Sequence, residues 1–138
     1  EGIGEKLTPL APWPGLPLLI VRPQVSVSTA KAYAAIDARK LRPENTTALC
    51  VKALKTRDKN LLLSSLSNDF ESALFPTHPI LCETARTLRA LSRPVLMTGS
   101  GSAFFLLLEN KKEGEALRET LKRDHPLWFV ETAETVAP

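Results

Sequence analysis

The pattern of apolar and polar residues opens with a strand followed by a helix. Residues 18–21 (LLIV) form a short apolar run between two prolines, which is typical of a buried strand. Residues 30–40 (AKAYAAIDARK) predict a helix, and Thr29 precedes them as a candidate N-cap. Because prolines recur throughout the segment before position 24, we expect no helix earlier in the chain.

Apolar residues at helical spacing predict three more helices in the middle of the chain. The first begins at a cap formed by Thr46 or Thr47 and ends near Lys55. The second runs from about residue 60 to the proline at position 76, and the third from residue 79 to the proline at position 94. Apolar residues at positions 62, 66 and 70 share one face, so we expect the second helix to be continuous.

The last third of the chain predicts three strands and one helix. Residues 95–98 and 103–108 are apolar strands joined by a Gly-Ser-Gly-Ser segment, as in a hairpin. An amphipathic helix over 113–122 and a strand over 127–132 follow. The whole order is the βαββαβ pattern of the ferredoxin-like, or split βαβ, plait with extra helices in the first crossover. We therefore predict an α+β fold with helices on one face of an antiparallel sheet.

The length and composition are those of one globular domain. The chain has 138 residues, of which 43% are hydrophobic and 24% charged. These values exclude a disordered chain, and no apolar run approaches the ~20 residues of a membrane span. The two cysteines, Cys50 and Cys82, have no second Cys or His at ligand spacing, so we expect buried, reduced thiols and no metal site.

The net charge of +3 is too small to indicate a nucleic-acid partner. Between residues 39 and 59, however, seven basic residues stand against two acidic ones, a local charge of +5. Such a stretch suits a phosphate-bearing ligand, although a solvated surface accounts for most of these side chains.

Two segments carry candidate chemistry. Gly99, Ser100, Gly101 and Ser102 lack the lysine of a Walker A loop and do not open into a helix, which excludes a P-loop or a Rossmann fingerprint. Consecutive amides and glycines suit a close approach to an anion, but the pattern alone favours a plain hairpin turn.

Thr29 and Tyr33 are four residues apart on one helix face, where a phenol ring and hydroxyls offer a nucleobase a stacking plane. Spacing alone favours a capping Thr and a half-buried core Tyr. His78 and His125 each precede a proline and are expected in exposed turns. Asp69 and Glu71 do not share a helix face, which favours capping or surface roles. The residues by themselves define no catalytic set.

Four segments of the chain stand out together: 2–10 (GIGEKLTPL), 21–30 (VRPQVSVSTA) with Tyr33 and Asp37, 68–71 (NDFE) and 97–105 (MTGSGSAFF). Together they resemble the GHMP kinase superfamily. Within it, they are most similar to the branch that phosphorylates 4-diphosphocytidyl-2-C-methyl-D-erythritol in non-mevalonate isoprenoid biosynthesis. The third superfamily motif usually has Ser where this chain has Thr98.

The resemblance implies an ATP- and Mg²⁺-dependent transfer of the γ-phosphate to the 2-hydroxyl of that cytidyl substrate. It places Tyr33 against the cytosine ring and the Thr29 hydroxyl beside the substrate. It also places Gly99, Ser100, Gly101 and Ser102 near the phosphates, where they steady a second loop. Both interpretations from spacing alone are thereby reversed, and a location in the bacterial cytoplasm or the plastid stroma is implied.

The resemblance further implies that the catalytic Asp and Lys and the main phosphate-binding loop belong to an N-terminal half. We therefore expect residues 1–138 to be a C-terminal domain, with 1–16 as the junction, and to have no kinase activity alone. The implied partners are ATP, the cytidyl substrate and that half, with no nucleic acid or membrane. Two alternatives stay open: another GHMP kinase of the homoserine or mevalonate type, and a non-catalytic ferredoxin-like module that binds a ligand or RNA.

Overall fold

Four strands form one antiparallel sheet in the computed structural model, which describes residues 5, 7–39 and 46–137. The sheet order is β2-β3-β1-β4, so β1 and β3 are central, as in a ferredoxin-like plait. Val21 of β1 pairs with Phe104 of β3 on one side and with Val130 of β4 on the other. The predicted α+β class is confirmed. The strands are β1 (Pro17–Arg22), β2 (Val95–Met97), β3 (Phe104–Leu107) and β4 (Phe129–Glu134).

Six helices lie within the described ranges, five of them in the crossover from β1 to β2. None of these helices is both long enough and apolar enough to cross a bilayer. They are α1 (Thr29–Asp37), α2 (Thr47–Thr56), α3 (Lys59–Ser65), α4 (Asp69–Leu74), α5 (Pro79–Arg89) and α6 (Lys111–Asp124).

Helices cover both faces of the sheet, which corrects the prediction of a single covered face. Successive strand residues point to opposite faces, and Leu19 and Leu106 belong to a core with α1, α4, α5 and α6. Their neighbours Leu18 and Leu107 belong to a second cluster, formed with the α2–α3 pair. The α2–α3 pair is therefore a layer of its own on the other side of the sheet.

The helix predicted from residue 60 to the proline at 76 is two helices, because the chain breaks at residues 66–68. Leu62 and Leu66 pack in the second cluster, whereas Phe70 packs against the main core. Asn68 is extended, with φ −144° and ψ 109°, and its Oδ1 accepts a hydrogen bond from the Phe70 N–H at 2.9 Å. One straight helix cannot place its apolar face on both sides of a sheet, so the break is what allows this packing.

Several boundaries and local environments also differ from expectation. The N-cap of α1 is Ser28, whose Oγ accepts from the Lys31 N–H, and Thr29 is the first helical residue. The helix ends at Asp37, so the prediction that it runs to residue 40 is wrong; residue 40 itself lies outside the described residues. The predicted strand 127–132 begins two residues later, at Phe129, and α6 extends the predicted 113–122 at both ends.

The cysteines and histidines occupy half-buried positions. Cys50 and Cys82 are free, but they are half-buried where we expected fully buried thiols. The His125 ring stacks on Trp128 with centroids 3.9 Å apart, and the His78 Nδ1 lies 3.1 Å from the Leu74 carbonyl oxygen. Both histidines are therefore half-buried and make contacts within the fold, whereas we expected them in exposed turns.

The start of α6 is held by a carboxylate. Glu113 accepts a hydrogen bond from the Glu109 N–H at 2.7 Å and pairs with Arg93, while the Asn110 side chain caps the Glu113 N–H. Desolvation raises the pKa of Glu113, but the Glu109 N–H and the Arg93 guanidinium outweigh it and hold the pKa below its ordinary value.

This depressed pKa predicts how stability depends on pH. The carboxylate stabilises the fold above the pKa of the unfolded state, and that stabilisation is lost as pH falls through the lower pKa of the folded state. Glu113→Gln should therefore have a lower Tm than wild type at pH 7, and the difference should shrink on acidification below the ordinary pKa of glutamate. Thermal unfolding of both proteins across this range tests it, with the exposed Glu119→Gln as control. A Tm difference that is constant with pH would contradict it.

Candidate functional site

The segment between β2 and β3, residues 98–103, is a tight hairpin connection that we name the Gly-rich turn. The Thr98 N–H donates to the Ala103 carbonyl at 2.8 Å, and the Gly101 N–H donates to the Thr98 carbonyl at 2.9 Å. Gly99 and Gly101 have φ values of +48° and +83°, in the region that favours glycine. The geometry is a hairpin turn, as the pattern alone favoured, and its glycines are required by the backbone.

The start of α1 meets this turn. The Thr29 Oγ1 lies 3.2 Å from the Ser100 Oγ, a hydrogen bond between residues 71 positions apart. Both candidate segments therefore lie at the same end of the sheet, where β1 ends and β3 begins. The Thr29 hydroxyl does not cap α1, so it bonds across to the Gly-rich turn instead.

Tyr33 lies one helical turn after Thr29 and faces solvent. It is 57% exposed, so the half-buried core position favoured by spacing alone is wrong. Its ring meets Phe70 edge to face, with centroids 5.1 Å apart and planes at 88°. This contact supports the ring from one side and leaves more than half of the residue accessible to a ligand.

The side chains that hold the Gly-rich turn come from the start of α4. The Asn68 Nδ2 donates to the Met97 carbonyl at 2.6 Å and to the Gly99 carbonyl at 2.9 Å. Glu71 accepts a hydrogen bond from the Met97 N–H at 2.8 Å and pairs through its other oxygen with Arg89 at 2.6 Å. The sequence did not predict that Asn68 and Glu71 would bond to this segment, because the bonds join residues far apart in the chain and no local spacing indicates them.

A groove of about 660 Å³ opens beside the Gly-rich turn. Gly101 and Ser102 line it, whereas Thr29, Tyr33, Gly99 and Ser100 do not, so the predicted site residues are divided between two adjoining surfaces. The other lining residues are Arg22, Pro23, Gln24, Val25, Ser26, Val27, Ala103, Leu127 and Phe129.

Among the described residues, no three His, Cys, Asp or Glu side chains lie close enough together to hold a metal ion. The basic stretch 39–59 is only partly described, and within it the Lys59 ammonium bonds to the Leu108 carbonyl at 2.8 Å and to Glu109 at 3.2 Å. This lysine therefore ties α3 to the end of β3 and is not free for a phosphate.

The aromatic residues of β3 do not form an RNA-binding surface. Phe104 is fully buried, and Phe105 packs in the second cluster against the α2–α3 pair. Exposed strand aromatics, which sheet-type RNA recognition uses, are absent from this strand.

Comparison with known proteins gives one family and one set of relatives. A family profile described as GHMP kinases C terminal matches residues 48–126, more than half of the chain. A 4-diphosphocytidyl-2-C-methyl-D-erythritol kinase of Nitratidesulfovibrio vulgaris is 39% identical over 88% of this chain and 44% of its own length. A protein of the same name from Pelobacter propionicus is 34% identical over 99% of this chain and 47% of its own. The chain thus spans about half the length of these relatives.

Two solved structures also match this chain over slightly less than half of their own length. The crystal structure of 4-(cytidine 5'-diphospho)-2C-methyl-D-erythritol kinase superposes with a TM-score of 0.78 at 29% identity, covering 99% of this chain and 48% of that one. A homoserine kinase from Cytophaga hutchinsonii superposes with a TM-score of 0.68 over 94% of this chain and 44% of its own. At 17% identity, that second likeness concerns the fold alone.

Proposed function

Because this chain belongs to the family of GHMP kinase C-terminal domains, we propose that it is the substrate-positioning domain of an ATP-dependent small-molecule kinase. The acceptor in this proposal is the 2-hydroxyl of 4-diphosphocytidyl-2-C-methyl-D-erythritol. Relatives at 34–39% identity carry that kinase's name, whereas the homoserine kinase shares only 17%. In this proposal the other half of the full-length protein completes the site, and residues 1–16 are the junction between the two halves. The compartment that we propose is the cytoplasm.

The contact between Thr29 and Ser100 is the observation that carries this proposal. It joins the entrance of α1, with Tyr33 one turn away, to the Gly-rich turn. A cytidyl diphosphate has a planar base at one end and phosphates at the other, so an exposed aromatic ring suits the base and the neighbouring hydroxyls suit the polar end. In this arrangement Tyr33 stacks on the cytosine, Thr29 lies beside the substrate, and residues 99–102 support the loop that holds the phosphates.

Phosphoryl transfer relies mainly on positioning and charge neutralisation, so a domain that supplies only positioning still contributes to the rate. Mg²⁺ neutralises phosphate charge in such reactions. No cluster of three metal-ligating side chains lies among the described residues. In this proposal, which follows the family resemblance, the metal ligands and the group that accepts the hydroxyl proton come from the other half. The role of this chain is to orient the acceptor and to brace the phosphate loop.

Phosphoryl transfer from labelled ATP tests the proposal in the full-length protein. We expect ATP-dependent label on 4-diphosphocytidyl-2-C-methyl-D-erythritol and none on homoserine or mevalonate. The 138-residue chain alone serves as control and should transfer no label, since the resemblance assigns the catalytic Asp and Lys to the other half. Label on homoserine or mevalonate would reassign the substrate, and no transfer to any of the three would refute the kinase proposal.

A further inference from the structure

Three residues at the start of α4 contact the candidate site or the end of β2 that leads into it. The Asn68 side chain donates to the carbonyl oxygens of Met97 and Gly99. The Phe70 ring packs against the Tyr33 ring. Glu71 bonds to the Met97 N–H. We propose that Asn68 and Glu71 are positioning residues, which clamp the Gly-rich turn so that Ser100 meets Thr29. The kinetic consequence of this inference rests on the proposed function, whereas the clamp itself does not.

Asn68 uses its whole side-chain amide. The carbonyl oxygens of Met97 and Gly99 need a donor, and the Phe70 N–H needs an acceptor. Only one orientation of the Asn68 amide satisfies all three groups. The N-cap bond to Phe70 alone needs nothing more than an acceptor, which Asp or Ser also provides. An asparagine at this position is thus explained by the two bonds to the Gly-rich turn and not by capping.

Glu71 completes the hold on the same strand end. Met97 is the last residue of β2, an edge strand, and α4 bonds both its N–H, through Glu71, and its carbonyl, through Asn68. These bonds replace the pairing that a further strand would give. The Glu71 side chain is only 14% exposed, and Arg89 supplies the charge partner that a carboxylate in this position needs. The clamp is therefore a charge-paired, partly buried network, in which Glu71 is more buried than Arg89.

The clamp should act on the chemical step more than on binding of the base. Releasing residues 98–103 moves the part of the site nearest the phosphates, and a misplacement of about 1 Å costs roughly 100-fold in rate. Tyr33 lies on α1 and keeps its own support from Phe70. A variant that opens the clamp should thus lower kcat and leave the KM for the cytidyl substrate nearly unchanged.

Two single substitutions at neighbouring residues, made in the full-length protein, test this inference. Asn68→Asp keeps the size and the N-cap acceptor but sets a carboxylate oxygen against two carbonyl oxygens, so kcat should fall about 10- to 100-fold. Asp69→Asn, at an exposed position in the same turn, should keep the wild-type kcat. Glu71→Gln keeps an acceptor for the Met97 N–H and loses only the pair with half-exposed Arg89, so its loss should be smaller.

Hydrogen–deuterium exchange of segment 95–103 in the same proteins tests, independently of activity, whether Asn68 restrains this segment. Asn68→Asp should speed exchange in this segment, and Asp69→Asn should not. Unchanged exchange in Asn68→Asp overturns the inference, whatever the activity. If Asn68→Asp does not fold, Asn68→Ser, which keeps a cap acceptor without a charge, takes its place in both measurements. If the wild-type protein phosphorylates no cytidyl substrate, the proposed function fails, and the exchange rates alone decide whether the clamp exists.

Discussion

Tyr33→Ala in the full-length protein is expected to raise the KM for the proposed cytidyl substrate by about 5- to 150-fold, with the KM for ATP unchanged. The range corresponds to the roughly 1–3 kcal/mol that a base gains by stacking on an aromatic side chain. Because Tyr33 is 57% exposed and rests on Phe70 by one edge, its removal should change the free energy of unfolding little. Steady-state kinetics with each substrate varied in turn, together with a thermal melt, measures both quantities.

Tyr33→Phe is the matched control, because it keeps the ring and removes only the phenol oxygen. We expect a cytidyl KM close to wild type for this variant. The opposite result for Tyr33→Ala would be an unchanged cytidyl KM with a collapsed Tm, and it would make Tyr33 a structural residue. That outcome would remove the main contact assigned to the cytidyl substrate while leaving the family membership of the chain intact.

Gly101→Ala is expected to lower the free energy of unfolding by about 1–3 kcal/mol and to reduce phosphoryl transfer strongly. Two effects add at this position. The φ value of +83° strains any residue with a side chain, and a Cβ would lie 2.9 Å from the Met97 Sδ. Met97 is 1% exposed and packs in the main core, so it has little room to give way. The turn should shift instead, which takes Ser100 away from Thr29.

Gly99→Ala separates the two effects. Its φ is also positive, at +48°, but a Cβ there would have no atom within 4 Å. It should show the backbone strain without the clash, so its loss of stability should be the smaller of the two. Denaturant unfolding of the three proteins gives the comparison. Equal losses for the two variants would show that contact with Met97 contributes nothing, and a stable, fully active Gly101→Ala would contradict the expected rigidity of the turn.

The elements that could be predicted are those whose signal is local. A proline marks where α5 begins, and glycines mark the hairpin between β2 and β3. An apolar run between prolines identifies β1, and periodic apolar residues identify α2 and α6. Their order was enough for the βαββαβ plait. The predicted end of α5 at the proline of position 94 is wrong, because the helix ends at Arg89. The N-cap of α1 was placed one residue late, because Ser28 and Thr29 are both good caps and only the backbone geometry distinguishes them.

The predicted site residues show the same limit. Spacing put Thr29 and Tyr33 on one helix face, and the family resemblance assigned them to a substrate, a role that remains a prediction. No local pattern indicated that Thr29 would meet Ser100 or that Asn68 would hold the backbone of Gly99. Those contacts join positions 71 and 31 residues apart, and they exist only once the sheet has brought both segments to the same end.

The sequence by itself determined the family, the order of the elements and the positions of the glycines, because each depends on residue type and on near neighbours along the chain. Only the tertiary structure decided that the stripe formed by Leu62, Leu66 and Phe70 is divided between two faces of the sheet. It also decided that Tyr33 is exposed and that Asn68, at the start of α4, bonds to the backbone of the Gly-rich turn. The physical reason is that burial and hydrogen-bond partners depend on which elements pack together, and a periodic pattern records an apolar face without recording what covers it.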